Sequence, residues 1–238
     1  MKVVVHQPSY IPWRGYFDQI RRADLFIFYD DVQYDKRGWR NRNQIKTHGG
    51  KRWLTIPVHA RGAQQGIAIK DIRIDWSRAW NEKHLRALTS TYGKSPCFDA
   101  YVSWLDSLYH RRDELLADFT IRLTMDIARR IGIKNTRFMR SSELNGVTGQ
   151  KTERLLRILQ LVGAKHYITG PSARNYIVDE RFAAAGITVE FLEYRYPDYP
   201  QLFPPFDPFV TILDLMFMVG EDALEYIRVR EAETYDAK

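Results

Sequence analysis

His6 closes the apolar run Val3-Val4-Val5, and Pro8 follows it two residues later. An imidazole at the mouth of a buried strand can take a proton from a substrate or contact a phosphate. Its simpler use is to order the turn by hydrogen bonds. Gln7, Tyr10 and Trp13 follow at once and line the same turn. A second group occupies residues 30–46, DDVQYDKRGWRNRNQIK, where acids, bases, amides and rings alternate without an apolar period. Asp30 and Asp31 would orient a substrate amine or hydroxyl, hold a divalent cation with phosphate, or pair with nearby arginines. Gln33, Tyr34, Lys36, Arg37, Trp39, Arg40, Asn41, Arg42 and Asn43 supply forked donors, amides and stackable rings. Arginine forks suit phosphate or carboxylate, and an aromatic face suits a base or a sugar. So polar a segment has little to bury, and it reads as one wall of a binding site or as a solvated basic loop.

A third group is Gly170-Pro171-Ser172-Ala173-Arg174-Asn175-Tyr176. Glycine permits close backbone approach, Ser172 can receive a phosphate, and Arg174 can clamp it. The segment has neither the Walker spacing nor the dinucleotide glycine pattern. Tyr199 and Gln201 lie in the proline- and aromatic-rich stretch 193–208, which should lie over the end of a sheet. His6, His48, His59, His84, His110 and His166 are scattered and Cys97 is the sole cysteine, so no metal-ligand spacing exists, while the cofactor, ATP included, is left open by the sequence.

These groups need a scaffold that brings strand ends together. Residues 3–5 suit a strand buried on both faces. Trp13, Tyr16, Phe17 and Ile20 form a helical stripe to about Ala23. Strands are expected at 25–29, 53–58, 67–75, 137–139, 166–169 and 188–192. The alternating IAIKDIRID at 67–75 points to an antiparallel pairing. Helices are expected at 77–92 with Ser77 as cap, 98–116, 119–131 ending at Gly132, and 148–162 capped by Thr148. Further helices are expected at 178–184, 208–219 and 221–228, and residues 62–66 read as a loop. The rhythm argues an α/β fold: three layers around a mixed, mostly parallel, Rossmann-like sheet in one domain, with 77–131 as a helical insertion or lid.

At 238 residues, 45% hydrophobic, 27% charged and 13% aromatic, the chain is an ordinary globule with ample apolar area to bury. One cysteine excludes an internal disulfide and fits a reducing compartment. No signal peptide is visible, and no apolar stretch approaches the length of a membrane span. The net charge of +7 favours anionic partners, and much of the excess lies in residues 36–52.

The motifs HQPxYxPWxGY at 6–16, Ala23-Asp24, Asp30-Asp31-Val32-Gln33-Tyr34, Trp39-Arg40-Asn41-Arg42-Asn43, Gly170-Pro171-Ser172 with Tyr176, Tyr199-Pro200-Gln201 and Ile212-Leu213-Asp214 with Gly220 resemble, in order, the WbqC-like family. Ala173 stands where that family usually carries glycine, and Thr211 where it carries serine. The resemblance implies a cytoplasmic protein of surface-polysaccharide (O-antigen-type) clusters. Residues and resemblance together suggest a transferase or ligase that modifies a nucleotide-linked amino sugar by acyl or aminoacyl attachment. His6, Asp30 and Asp31 would be its catalytic groups, the other residues above its substrate contacts, and a small anionic nucleotide sugar or nucleotide its partner. The alternative is a nucleotide- or RNA-binding protein, tRNA included, without catalysis of its own.

Overall fold

The computed structural model describes residues 1–59, 66–175, 177 and 179–228. The centre is β1 (Lys2–His6), whose three valines are buried. Beside it lie β2 (Leu25–Phe28) and, further out, β7 (Arg137–Arg140); on its other side lie β8 (His166–Thr169) and β9 (Thr188–Phe191). Every pairing in the order β7-β2-β1-β8-β9 is parallel, with His6 opposite Phe28 and Lys2 opposite His166. The chain thus steps outward on one side of β1, then crosses back to build the other side. The crossing places a crevice outside the carboxyl ends of β1 and β8, where open α/β sheets bind ligands.

Alternation along the strands makes the layers. Val4, Phe26 and Phe28 face one core with Tyr16, Phe17 and Ile20 of α1 (Arg14–Arg22). That core continues through α2 (Trp80–Tyr92), α3 (Phe98–His110), α4 (Leu116–Arg130) and α7 (Ile212–Val219). Val3, Val5, Leu25 and Ile27 face a second core with Leu155, Ile158 and Leu159 of α5 (Lys151–Leu161) and Phe182 of α6 (Asp179–Ala184). The result is the α/β, three-layered, Rossmann-like arrangement expected from the rhythm of the chain.

The central sheet is, however, wholly parallel. The antiparallel pairs form two separate ribbons: β3 (Arg42–Thr47) with β4 (Gly50–Thr55), and β5 (Val58–His59) with β6 (Arg73–Ile74). The strand expected at 53–58 is split at Pro57, which has no N–H for a ladder. At 67–75 only Arg73 and Ile74 form a strand, Ala68 makes a single antiparallel bridge to Gln33, and Ile69–Asp71 is a 3-10 turn that buries Ile69.

Several helix limits differ from the sequence pattern. Ser77 does not cap α2; its hydroxyl bonds Asp75, and Ala79 precedes the helix. Thr148 does not cap α5, because Gly149 and Lys151 take positive φ (84° and 49°) before the helix forms. α3 stops at His110 and α4 starts at Leu116, so residues 111–115 are not helical. α7 begins after Thr211, whose hydroxyl accepts from the Leu213 N–H, so threonine at this position caps as serine would. The last helix expected is a 3-10 turn, Gly220–Tyr226. Residues 193–208 carry no regular element. The loop expected at 62–66 falls almost wholly outside the described residues.

Candidate functional site

Beyond the carboxyl ends of β1 and β8 lies a cleft of about 650 Å³. Its walls come from four places: Val5, His6 and Gln7 ending β1; Tyr29 following β2; Lys151, Thr152 and Leu155 starting α5; and Tyr167, Thr169, Gly170 and Ser172 at β8 and the turn after it. Arg40 and Tyr194 reach in from outside the sheet. No carboxylate is among these residues.

Three bonds converge on one carbonyl at the start of the loop after β1. The Gln7 carbonyl accepts from His6 Nδ1 (3.2 Å), the Tyr16 hydroxyl (3.1 Å) and Ser9 Oγ (3.4 Å). Donation through Nδ1 leaves Nε2 as the acceptor nitrogen of the neutral ring. Burial and then the Arg40 cation lower the His6 pKa to about 4, against a small upward pull from the Gln7 carbonyl. The ring is therefore neutral at physiological pH and basic only through Nε2.

Arg40 is the site's unusual group. Its Nη1 makes a 3.4 Å bond to the Pro8 carbonyl, and its buried Nε has no partner. Among the described residues no carboxylate pairs with it. Burial pulls its pKa down, since a desolvated charge is costly without a counter-ion. Across the cleft, α5 begins at Lys151 with no side-chain cap from Gln150. A helix start presents backbone N–H groups and partial positive charge. Close packing also shapes the floor: a Cβ on Gly170 would lie 2.6 Å from the Tyr194 hydroxyl, so any larger residue would push that hydroxyl aside. That hydroxyl accepts from Gln19 Nε2 (2.8 Å), and burial pushes its pKa to about 12. It stays protonated and can donate.

The residues expected from the sequence are thereby divided. His6, Gln7, Arg40, Gly170 and Ser172 meet in the cleft. Asp30 does not: it is fully buried, accepting from Arg140 Nε (2.6 Å), Ser142 Oγ (2.9 Å), the Ser142 N–H (3.1 Å) and Ser141 Oγ (3.2 Å). Asp31 accepts from Ser141 Oγ and Arg154 Nη2, both at 2.6 Å. Arg140 also donates to Asp118 at 2.6 Å. These carboxylates lock β2, β7, α4 and α5 together, and their partners are Arg140 and Arg154 rather than the nearby arginines of residues 37–42. No oxygen of Asp30 is offered to a substrate.

Tyr10 points into the core, its hydroxyl on His84 Nδ1 (2.7 Å) and on the Tyr109 hydroxyl. Asn41 donates to the Ile56 carbonyl (2.8 Å) and Asn43 to the Ile11 and Tyr10 carbonyls (2.6 and 3.1 Å), so both are buried braces of the main chain. Tyr199 and Gln201 belong to a buried network around Asp214, with Gln201 also taking Lys46 Nζ at 2.6 Å. Trp13 packs edge-on against Tyr194 and so backs the cleft wall. Tyr34 is buried away from the cleft. Gln33, Lys36, Arg37 and Pro171 are exposed outside it, and Arg174 lies over the Phe191 ring. Trp39 and Arg42 sit with Trp53 on the β3–β4 ribbon. Tyr176 lies outside the described residues. Sequence reasoning missed Tyr29, Lys151, Thr152 and Tyr194; of these only Gly149-Gln150-Lys151-Thr152, a glycine before a Lys-Thr helix start, left a local trace.

An open parallel sheet with a carboxylate-free cleft at its crossing point, lined by Arg40 and Lys151, defines an α/β protein of Rossmann-like architecture. The chain belongs to the WbqC-like protein family, whose model matches residues 7–226. It is 42% identical over 229 residues to the uncharacterized protein Rv1507c of Mycobacterium tuberculosis strain H37Rv, an alignment covering 95% of this chain and 97% of that protein. No solved structure matches. Among the described residues, no helix is long and apolar enough to cross a membrane.

Proposed function

We propose that the protein is a cytoplasmic transferase or ligase of surface-polysaccharide synthesis that acylates or aminoacylates a nucleotide-linked amino sugar. The supporting observation is the cleft itself: Arg40, Lys151 and a neutral His6 line it, and no carboxylate does. The diphosphate sits between the Arg40 guanidinium and the start of α5. Gly170 and Ser172 let the ligand approach the main chain, and the Tyr194 hydroxyl donates to the sugar.

In the chemical step the sugar's amino group attacks the carbonyl carbon of an activated acyl donor (a thioester, an acyl adenylate or an aminoacyl ester). The new C–N bond forms and the bond to the donor's leaving group breaks. His6 Nε2 takes the proton shed by the nitrogen and can pass it to the leaving group. Asp30 and Asp31 act by holding the walls.

The test is a mass-spectrometric screen of nucleotide-linked amino sugars, each with the three donor classes. His6→Ala should abolish the mass increment while sugar-nucleotide binding persists. Unchanged turnover in that variant would make His6 a structural group and remove this mechanism.

A further inference from the structure

The β3–β4 ribbon carries a surface that the cleft does not use. Trp39 and Trp53 are 47% and 42% exposed, large areas for tryptophan outside a core. Their ring centroids lie 5.3 Å apart at 32°. The Arg42 guanidinium lies over the Trp53 ring at 4.4 Å. Register explains the grouping: Gln44 pairs with Trp53 and Arg42 with Thr55, so Arg42 and Trp53 are diagonal neighbours on one face. Arg42 Nη2 donates to the Arg37 carbonyl, which brings the turn carrying Lys36 and Arg37 against that same face. Lys36, Arg37 and Arg42 pair with no carboxylate among the described residues, and Arg42 Nε is buried without a partner.

From this juxtaposition we infer that the Trp39–Trp53–Arg42 face binds single-stranded nucleic acid, with bases stacked on the indoles and phosphates on Lys36, Arg37 and Arg42. Stacking rings beside unpaired cations are what an unpaired strand needs, because every base has a π-face and every link a charge. A neutral glycan would use the rings and leave three cations without a counter-charge. A duplex would meet the cations and leave the rings idle. None of these five residues lines the cleft, so this inference stands whether or not the enzymatic reading does.

The experiment is fluorescence anisotropy of the full chain with labelled 12-mers of uridylate RNA, thymidylate DNA and duplex DNA, with unlabelled heparin as a competitor that cannot stack. Single strands should bind at 50 mM salt, with affinity falling as salt rises at a log–log slope of about 2, the share of three contacted phosphates. Trp39→Ala and Trp53→Ala should each weaken binding about 5- to 150-fold and leave that slope unchanged. Arg37→Ala should lower the slope by about 0.7. Preference for RNA, or equal binding of RNA and DNA, both support the inference and tell which strand the surface takes. No binding at 50 mM salt overturns it. So does binding that heparin or duplex matches and that neither tryptophan variant weakens, since charge alone would then explain it. Circular dichroism of the variants checks that these exposed positions leave the fold intact.

Discussion

Replacing Arg40 by methionine should stabilise the empty protein. Its guanidinium has one long bond to a main-chain carbonyl, a buried Nε without a partner and no carboxylate in ion-pair contact among the described residues, Asp35 acting on it only from further away. A buried donor left unsatisfied costs about 1–3 kcal/mol. Methionine keeps much of the apolar stem and removes the charge. Allowing for lost contacts, we expect a gain of about 1–2 kcal/mol. For a chain of this length each kcal/mol moves Tm by about 2–4 °C, so the midpoint should rise by about 2–8 °C. The assay is thermal denaturation of wild type and Arg40→Met in phosphate-free buffer. Arg140→Met is the control: Arg140 is paired with Asp30 and Asp118, so its loss should lower Tm. In Arg40→Met the His6 pKa should also rise from about 4, since Arg40 is the second cause of its depression. Burial, the first cause, keeps it below 6.5. A fall in Tm of 2 °C or more for Arg40→Met would refute this reasoning, because Arg40 would then be a brace and not a ligand group held ready at a cost.

Asp30→Ala should lose about 3–5 kcal/mol, the cost of stranding one side of a buried ion pair, and so about 6–20 °C in Tm; unchanged stability with lost turnover would instead make Asp30 catalytic. Acid should destabilise the fold early. His6 and His84 both have pKa values lowered to about 4, chiefly by burial, against 6.5 in the unfolded chain. A depressed histidine leaves stability intact above pH 6.5, and stability is lost as pH falls from about 6.5 to 4 because the unfolded chain takes up the proton first. Each should cost about 3 kcal/mol over that window. Urea midpoints between pH 7 and 4 would show the fall, and His84→Gln should flatten it; a constant midpoint contradicts both assignments. The acid limb of kcat/KM should for the same reason lie below pH 5, not at 6.5.

The sheet was legible because its strands are short runs of valine, isoleucine and aromatic residues, and buried parallel strands need that composition. His6, Gly170 and Ser172 were legible with them, since each ends such a strand. The β3 strand was not. Its buried positions include Asn43 and Lys46, whose polar groups are satisfied by main-chain carbonyls of residues 10, 11 and 205, and no hydrophobic period can register that. The same fact reverses the premise that residues 30–46 have little to bury. The motif Trp39–Asn43 changes setting at successive positions: an exposed ring, a cation in the cleft and a main-chain brace. Asp30 and Asp31 misled for another reason. Arg140 and Arg154, the partners that neutralise them, come from β7 and α5, and nothing local announces a contact across 110 residues or more. Lys151 left no more than the trace of a glycine before a Lys-Thr helix start, and only the return of the chain to β8 brings the start of α5 to the cleft that His6 lines.

The most direct test of the cleft as a nucleotide-sugar site is a thermal-shift panel: nucleotide-linked amino sugars, nucleoside diphosphates and pyrophosphate, on wild type, Arg40→Met and Lys151→Ala. Ligand at about 100 times its dissociation constant adds about 2.7 kcal/mol, and so raises Tm by about 5–11 °C. We expect that rise in wild type with one class of nucleotide-linked amino sugar, a smaller one in Lys151→Ala and none in Arg40→Met. No rise with any phosphate ligand, or an equal rise in Arg40→Met, would contradict the account.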